Sequence, residues 1–541
     1  MKKISFVSSP LFSFTLISLS ASLSAASFAA PMMSVELMSS SATAGNFSSS
    51  SSSNSVSISA AQAKKNLQAT RAYYQSLIAP HSKRGAELTM LMTMLPKGGD
   101  IHHHYTGALY AEVYLDWVTT QGYCVYRENN AAAKQEKFRI EVKAINDPEL
   151  AKNCWKPETI RKDNLFYREL LMTWSDLDFD THTHQQLPPD QQFFNTFGYF
   201  GAVSKFNTNA GLRSLKERAQ AENQQYLETM LKSAPITENA ELSARLDAIT
   251  AKNSLATPSA KALDVSELHA IFAAYSSFLA KDKAAQDAIA AYVEEVNQDT
   301  KDIDSADFDL RVQTYVSRNS TPGKTFAGLY AAFAASERNP KIVGINIVGP
   351  EHGLIALRDY QLHMHMFGYL KTIFPKARLA MHAGELNLGL VAPEYLQSHI
   401  RDALEIAGAE RIGHGVDIAY EKDAVQLLAA LKQRKTAIEI NLTSNSFILG
   451  VKEANHPVTL YLRHGIPVVI SSDDMGVSRN NLSNEYILFA SRYQPNYDQL
   501  KSIVYNSIRY SFLSDADKQK HLRLLDQKFL QFEAKVAGLP H

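Results

Sequence analysis

Cysteine is almost missing from this chain: of 541 residues only Cys124 and Cys154 carry a thiol. Both fall in one polar, irregular stretch about thirty residues long. In an oxidising compartment a single disulfide between them is expected, two unpaired buried thiols being the alternative. Net charge is missing too, with 55 basic against 55 acidic residues. Nothing in that balance suggests steering toward nucleic acid or an anionic membrane surface, and it favours a small, nearly neutral partner. Beyond the N-terminus no apolar run is long enough to span a bilayer. No repeat of solenoid-like period is visible. What is present, 45% hydrophobic and 20% charged residues, suits a chain that buries a sizeable core.

The N-terminus reads as an export signal over residues 1–30. Lys2 and Lys3 precede an apolar stretch from Ile4 to about Leu23, and small residues through Ala29 and Ala30 follow. A membrane anchor is the weaker reading, because serines between Ser8 and Ser20 interrupt the run. Residues 31–60 are serine-rich, including Ser48 to Ser53, and read as a flexible linker. A helical extension is expected over 61–94, and the main domain over 95–541.

Within that domain eight short apolar runs read as strands: Gly98 to His104, Gln224 to Leu231, Phe308 to Val316, Ile342 to Val348, Ala377 to His382, Arg411 to Gly413, Thr436 to Asn441 and Ile466 to Ser472. Amphipathic helical patterns lie between several of them, as at Leu354 to Thr372, Pro393 to Ala407 and Lys422 to Lys432. Strand–helix alternation predicts a parallel sheet, and eight units predict an α/β fold, a (β/α)8 TIM barrel, with a doubly wound open sheet as runner-up. More than a hundred residues separate the first two strands, so an insertion is expected at about 111–186, with a helical expansion at about 233–300.

Barrel enzymes carry their reactive groups at the C-terminal ends of strands. The first strand ends in His102-His103-His104, where alternation points His102 and His104 the same way. The fifth ends in His382-Ala383-Gly384-Glu385, the sixth in Gly413-His414-Gly415, and the eighth in Ser472-Asp473-Asp474. Paired acids after an apolar strand are costly to bury unless paired or metal-bound. Each motif alone has a structural explanation; four in order at strand ends point to a site. Three histidines and an aspartate with room for water suit zinc.

Together with Pro96 to His104, these segments resemble the signature set of the adenosine deaminase family, in that family's order, over about Leu95 to Tyr486. The resemblance implies one Zn2+ per chain, held by His102, His104, His382 and Asp473. It implies Glu385 as proton donor to the purine N1, His414 orienting and helping to deprotonate the zinc-bound water, Asp474 bonding N7, and the Gly349 backbone meeting N3. The reaction implied is hydrolytic deamination of adenosine, and of 2′-deoxyadenosine, to inosine or deoxyinosine and ammonia. Thr106 stands where the family commonly has an aspartate contacting ribose, which leaves the sugar preference open, and Asn346 stands where an acid is often seen. The cysteine-bearing insertion resembles that of the secreted adenosine deaminase growth factor branch.

Expected partners are therefore a purine nucleoside, no nucleic acid and no membrane span, with a homodimer and a surface or receptor partner at the insertion left open. The expected location is the periplasm or outside the cell. Two alternatives remain: an aminohydrolase for another adenine nucleoside or adenine itself, and an extracellular binding protein using the insertion. Cytosine- and RNA-type zinc deaminases are excluded, since their Pro-Cys-x-x-Cys pattern is absent. His363 and His365 read as surface or packing residues, His456-Pro457 as helix-start punctuation, and Asn441 to Ser446 as either pocket lining or an ordinary polar turn.

Overall fold

Eight parallel strands, each buried along nearly its whole length, wind into a barrel in the computed structural model, which describes residues 58–130, 135–179, 187–251 and 263–540. The expected export signal and most of the serine-rich stretch lie outside the described residues. In chain order the barrel strands are β1 (Gly98–His104), β2 (Gln224–Ser233), β3 (Asp309–Ser317), β4 (Ile342–Val348), β5 (Ala380–Ala383), β6 (Arg411–His414), β7 (Ala437–Ile440) and β8 (Val468–Ile470). They pair as β1-β2-β3-β4 and β5-β6-β7-β8. Strands covered on both faces need continuous apolar sequence, which is why they read as unbroken hydrophobic runs.

Two seams join the half-sheets. Ile345 N–H donates to the Arg378 carbonyl at 2.9 Å between β4 and β5. At the other seam His104 N–H donates to the Asp473 carbonyl at 3.2 Å and Asp473 N–H to the His102 carbonyl at 3.0 Å. The β1–β8 seam is thus closed by residues of the candidate site itself, and the open-sheet alternative falls.

Between β1 and β2 lies a small antiparallel sheet of Cys124–Asn130, Gln135–Glu141 and Cys154–Trp155. A disulfide joins Cys124 to Cys154, whose Cα atoms are 5.5 Å apart. Helix Pro189–Phe200 then returns the chain over the mouth of the barrel. The segment between β2 and β3 holds helices Ala240–Ala251, Val265–Lys281 and Lys283–Asp299. Helix Ala60–Leu77, capped by the Ser59 hydroxyl accepting from Gln62 N–H, packs on the terminal helix Asp515–Ala537. No helix among the described residues is long and apolar enough to cross a membrane.

One helical expectation is corrected. Pro393 to Ala407 is not a single helix but a 3-10 turn, Pro393–Leu396, followed by a fresh start at His399 that runs into a π turn, Ala403–Ala407. The cause is tertiary: the Glu421 carboxylate accepts from Ile400 N–H at 2.6 Å and Arg401 N–H at 3.3 Å, capping a new N-terminus.

Candidate active site

The strand ends bring the four sequence motifs together around a cavity of about 270 Å³. It is lined by His104, Thr106, Tyr315, Gly349, His382, Glu385, His414, Ser444, Asp473 and Asp474, and roofed by Phe193, Phe194 and Phe197 from helix Pro189–Phe200. A larger cavity of about 690 Å³ lies against another face of helix Leu442–Leu449 and shares none of these residues. The smaller one holds the reactive groups and is the candidate site.

His102, His382, His414 and Asp473 are all buried, with one donor atom of each lying within 4.8 Å of the others; His104 forms a second such group with Asp473 and Asp474. His104 Nε2 is 3.1 Å from His382 Nε2. Asp473 Oδ1 lies 3.4 Å from His102 Nε2 and 3.3 Å from His104 Nε2. His103 turns the other way, its Nδ1 2.9 Å from the Thr229 hydroxyl, as strand alternation requires. His363, inside its helix, and His365 take no part in the cluster.

Left-handed backbone aims two of these side chains. His414 has φ 69° and Asp473 φ 59°, conformations that cost a non-glycine residue about 1–3 kcal/mol. Surrounding hydrogen bonds hold both in place, including the two across the β1–β8 seam. Gly413 must be glycine for a different reason: a Cβ there would sit 2.7 Å from Cε1 of the His102 ring.

Behind the histidines stand residues that the sequence motifs did not include. Glu439 Oε2 accepts from His102 Nδ1 at 2.6 Å, and Asn346 Oδ1 accepts from His382 Nδ1 at 2.8 Å. Each bond places a proton on Nδ1 and turns the ring's Nε2 toward the cluster, the usual orienting role of a partner behind a ligand. Glu351 accepts from the backbone N–H groups of Gly384 and Glu385, each at 3.0 Å, and lies 3.2 Å from Arg318 and 2.5 Å from His399 Nδ1. That carboxylate shapes the turn presenting Glu385. An acid inside an otherwise apolar strand, such as Glu439 within Ala437–Ile440, was a signal that could have found it.

Charge follows from burial and neighbours. Burial, then the histidine neighbours, holds His382 well below its ordinary pKa, and burial brings His104 down to about 4. Burial opposes charge on His102 as well, but the Asp473 and Glu439 carboxylates outweigh it and push this ring up to about 10. A cation among these donors would take that proton's place. Burial, then the Asp473 and Glu351 carboxylates, pushes Glu385 well above the usual carboxylate range. Burial and the charge of Asp473 do the same to Asp474, while His102 outweighs burial and keeps Asp473 ionised. His414 Nε2 sits 3.7 Å from Glu385 Oε1 and 3.8 Å from Asp473 Oδ2. The site thus pairs a protonated acid with a neutral imidazole beside a cluster of metal-type donors.

Comparison with known proteins agrees with this arrangement. Residues 274–528 match the family model described as adenosine deaminase. The adenosine deaminase of Enterococcus faecalis is 34% identical over 153 residues, which is 28% of this chain and 42% of that protein. That of Haemophilus ducreyi is 31% identical over 191 residues, 35% of this chain and 50% of that protein. The chain therefore spans at most half the length of these curated relatives. Among solved structures, the apo N6-methyl-AMP deaminase from Arabidopsis thaliana shares the fold, with a TM-score of 0.51 at 16% identity over 81% of this chain and 98% of that one. The family match carries His382, Glu385, His414, Asp473 and Asp474, while His102 and His104 lie upstream of it and join them through the barrel's closing seam. Over residues 274–528, just under half of its length, the chain is similar to the adenosine deaminase family.

Proposed function

We propose that this protein is a zinc-dependent hydrolase that deaminates adenosine and 2′-deoxyadenosine, releasing ammonia from C6. One juxtaposition supports the reading: Glu385, a buried acid, and His414 lie 3.7 Å apart on the wall of a pocket where three further histidines and an aspartate converge.

The donors fit one zinc ion held by His102, His104, His382 and Asp473. Ligand atoms of a tetrahedral site with bonds of about 2.0–2.1 Å lie about 3.3–3.4 Å from one another. Three of the separations among these donor atoms, 3.1, 3.3 and 3.4 Å, match that spacing. When bound, the ion supplies Lewis acidity that brings the pKa of a water toward about 7. The chain's own groups do the rest. Attack at C6 makes N1 basic, and Glu385, held protonated by burial, donates to it. The carboxylate so formed takes the proton of the added oxygen and passes it to the departing amine, which leaves as ammonia. Asp474, protonated for the same reason, donates to N7, which can only accept. His414 faces the attacking oxygen. The three phenylalanines of the roof exclude bulk water, and Thr106 offers the sugar a neutral hydroxyl instead of a carboxylate.

The described lining contains no lysine or arginine. A 5′-phosphate would enter beside Glu385 and Asp474 without a cationic partner, so the nucleoside is the substrate rather than its monophosphate. The test assays purified protein of known zinc content with adenosine, 2′-deoxyadenosine, adenine and AMP, following the purine absorbance. Both nucleosides should turn over, AMP at least about 100-fold more slowly by kcat/KM. A chelator should abolish the activity and zinc restore it. Zinc-replete protein that converts none of the four, or prefers AMP, would overturn the proposal.

Export belongs to the same reading. Lys2, Lys3 and the apolar run after them support it, and the Cys124–Cys154 bridge suits an oxidising compartment. Mass spectrometry of the expressed protein should find a mature chain beginning close to Ala30 or Pro31 outside the cytoplasm; a cytoplasmic chain retaining Met1 or Lys2 would sink it.

A further inference from the structure

The ring of His414 has two distinct nitrogens, and its surroundings treat them differently. Nε2 faces the pocket. Nδ1 points away from it, toward the amide nitrogen of Asn445 at 2.9 Å and that of Asn441 at 3.4 Å. An amide nitrogen can only donate, so Nδ1 is the acceptor. What fixes the Asn445 amide lies one residue further out. Its Oδ1 is 3.1 Å from Nε2 of His456, and Nδ1 of His456 is 3.2 Å from the backbone N–H of Val458. That N–H has a single possible orientation and must donate. His456 therefore carries its proton on Nε2, gives it to Asn445 Oδ1, and leaves the amide nitrogen turned to His414.

The opposite orientation fails. Were the Asn445 amide turned over, His456 would need its proton on Nδ1, head-on to the Val458 N–H, with both donors buried and unsatisfied. His456, Asn445 and His414 are each at most 1% exposed, so water cannot relieve such a clash. Burial also brings His456 down to about 3, which keeps it a neutral ring with one proton to place. His456 does not line the cavity.

We infer that His456, acting through Asn445, is a positioning residue that holds His414 with its proton on Nε2, so that His414 donates a hydrogen bond to the attacking oxygen and does not take up its proton. The catalytic consequence rests on the proposed aminohydrolase activity; the tautomer itself does not. The role differs from the one the sequence resemblance implies for His414, deprotonation of the water. A ring whose Nε2 already bears hydrogen has no lone pair there to receive another proton.

Two readouts test this on the zinc-loaded, full-length protein. The first is nitrogen-15 NMR of histidine-labelled enzyme, with His414→Gln identifying the resonance. It should show a neutral ring protonated on Nε2, and a wild-type ring protonated on Nδ1 would overturn the inference. The second is kinetic. His456→Leu should give mixed His414 tautomers and lower kcat by about 10–100-fold, the usual cost of losing an outer partner, with KM changed less than about threefold and zinc content unchanged. His456→Gln, which keeps a nitrogen donor near the Nε2 position, should recover most of kcat. If glutamine is as damaging as leucine, or leucine alters neither tautomer nor kcat, the relay does not operate. Should His456→Leu not fold, the wild-type tautomer decides alone. Wild-type protein that shows the Nε2 tautomer yet turns over no nucleoside would refute the proposed activity and leave the relay standing.

Discussion

Glu385→Gln should lower kcat on adenosine by about 10²–10⁴-fold while leaving fold and zinc content as they are. Glutamine matches glutamate in shape and can still hydrogen-bond N1, but its amide has no proton to release at accessible pH. The backbone turn that presents residue 385 is held by Glu351 through the Gly384 and Glu385 N–H groups, so the substitution leaves the turn's own bonds in place. A pH signature accompanies the loss. The carboxyl of Glu385 is raised well above its ordinary value, by burial first and by the Asp473 and Glu351 charges second. A cation beside Asp473 would offset part of the second cause and none of the first. The proposed mechanism requires the protonated form, so wild-type kcat/KM should hold at lower pH and fall as pH rises through the raised pKa. The residual activity of the glutamine variant should lack that alkaline fall. A variant of near wild-type rate, or a wild-type rate that climbs with pH across the same window, would remove Glu385 from the mechanism.

Arg411→Leu should be the most destabilising single change in the barrel floor, costing about 3–5 kcal/mol, the scale of breaking one side of a buried ion pair. The guanidinium is 1% exposed and lies 2.5 Å from Glu228 on β2 and 2.5 Å from Glu439 on β7, with the Phe512 ring 3.9 Å away. Its removal strands two carboxylates in the interior. Glu439 would suffer most, since burial raises its pKa and Arg411 is the main influence holding it ionised. Glu439 also orients His102, so zinc affinity should fall together with stability. Urea unfolding and zinc titration of the same variant measure both. Adding Glu228→Gln to Arg411→Leu should recover part of the stability, because the two residues share one network. A loss under about 1 kcal/mol would mean that the floor tolerates both charges unpaired.

These cases show where sequence reading reached and where it stopped. All eight strands stood out, because a strand buried on both faces writes itself as a short apolar run. His102, His104, His382, Glu385, His414, Asp473 and Asp474 stood out because they follow those runs, and the structure lines or adjoins one cavity with them. Arg411 was visible only as the start of a motif, Glu228 and Glu439 not at all, although an acid in an apolar strand was there to be noticed. His456 looked like helix-start punctuation; its meaning depends on Asn445 and Val458 meeting it in space. The interrupted helix at Pro393 to Ala407 was hidden because Glu421, the residue that caps its restart, belongs to the next unit.

The order of strands and the polar residues at their ends were legible in the chain itself, since burial and position along a strand are local properties. Which nitrogens face one another, which carboxyls keep their protons and which ring tautomer is held were set by the folded arrangement. Those outcomes are set by distances of about 3 Å between residues that lie from eleven to several hundred positions apart in the chain. The closing seam between β1 and β8 is the clearest instance: it sets His102 beside Asp473, and no local pattern in either strand specifies that meeting.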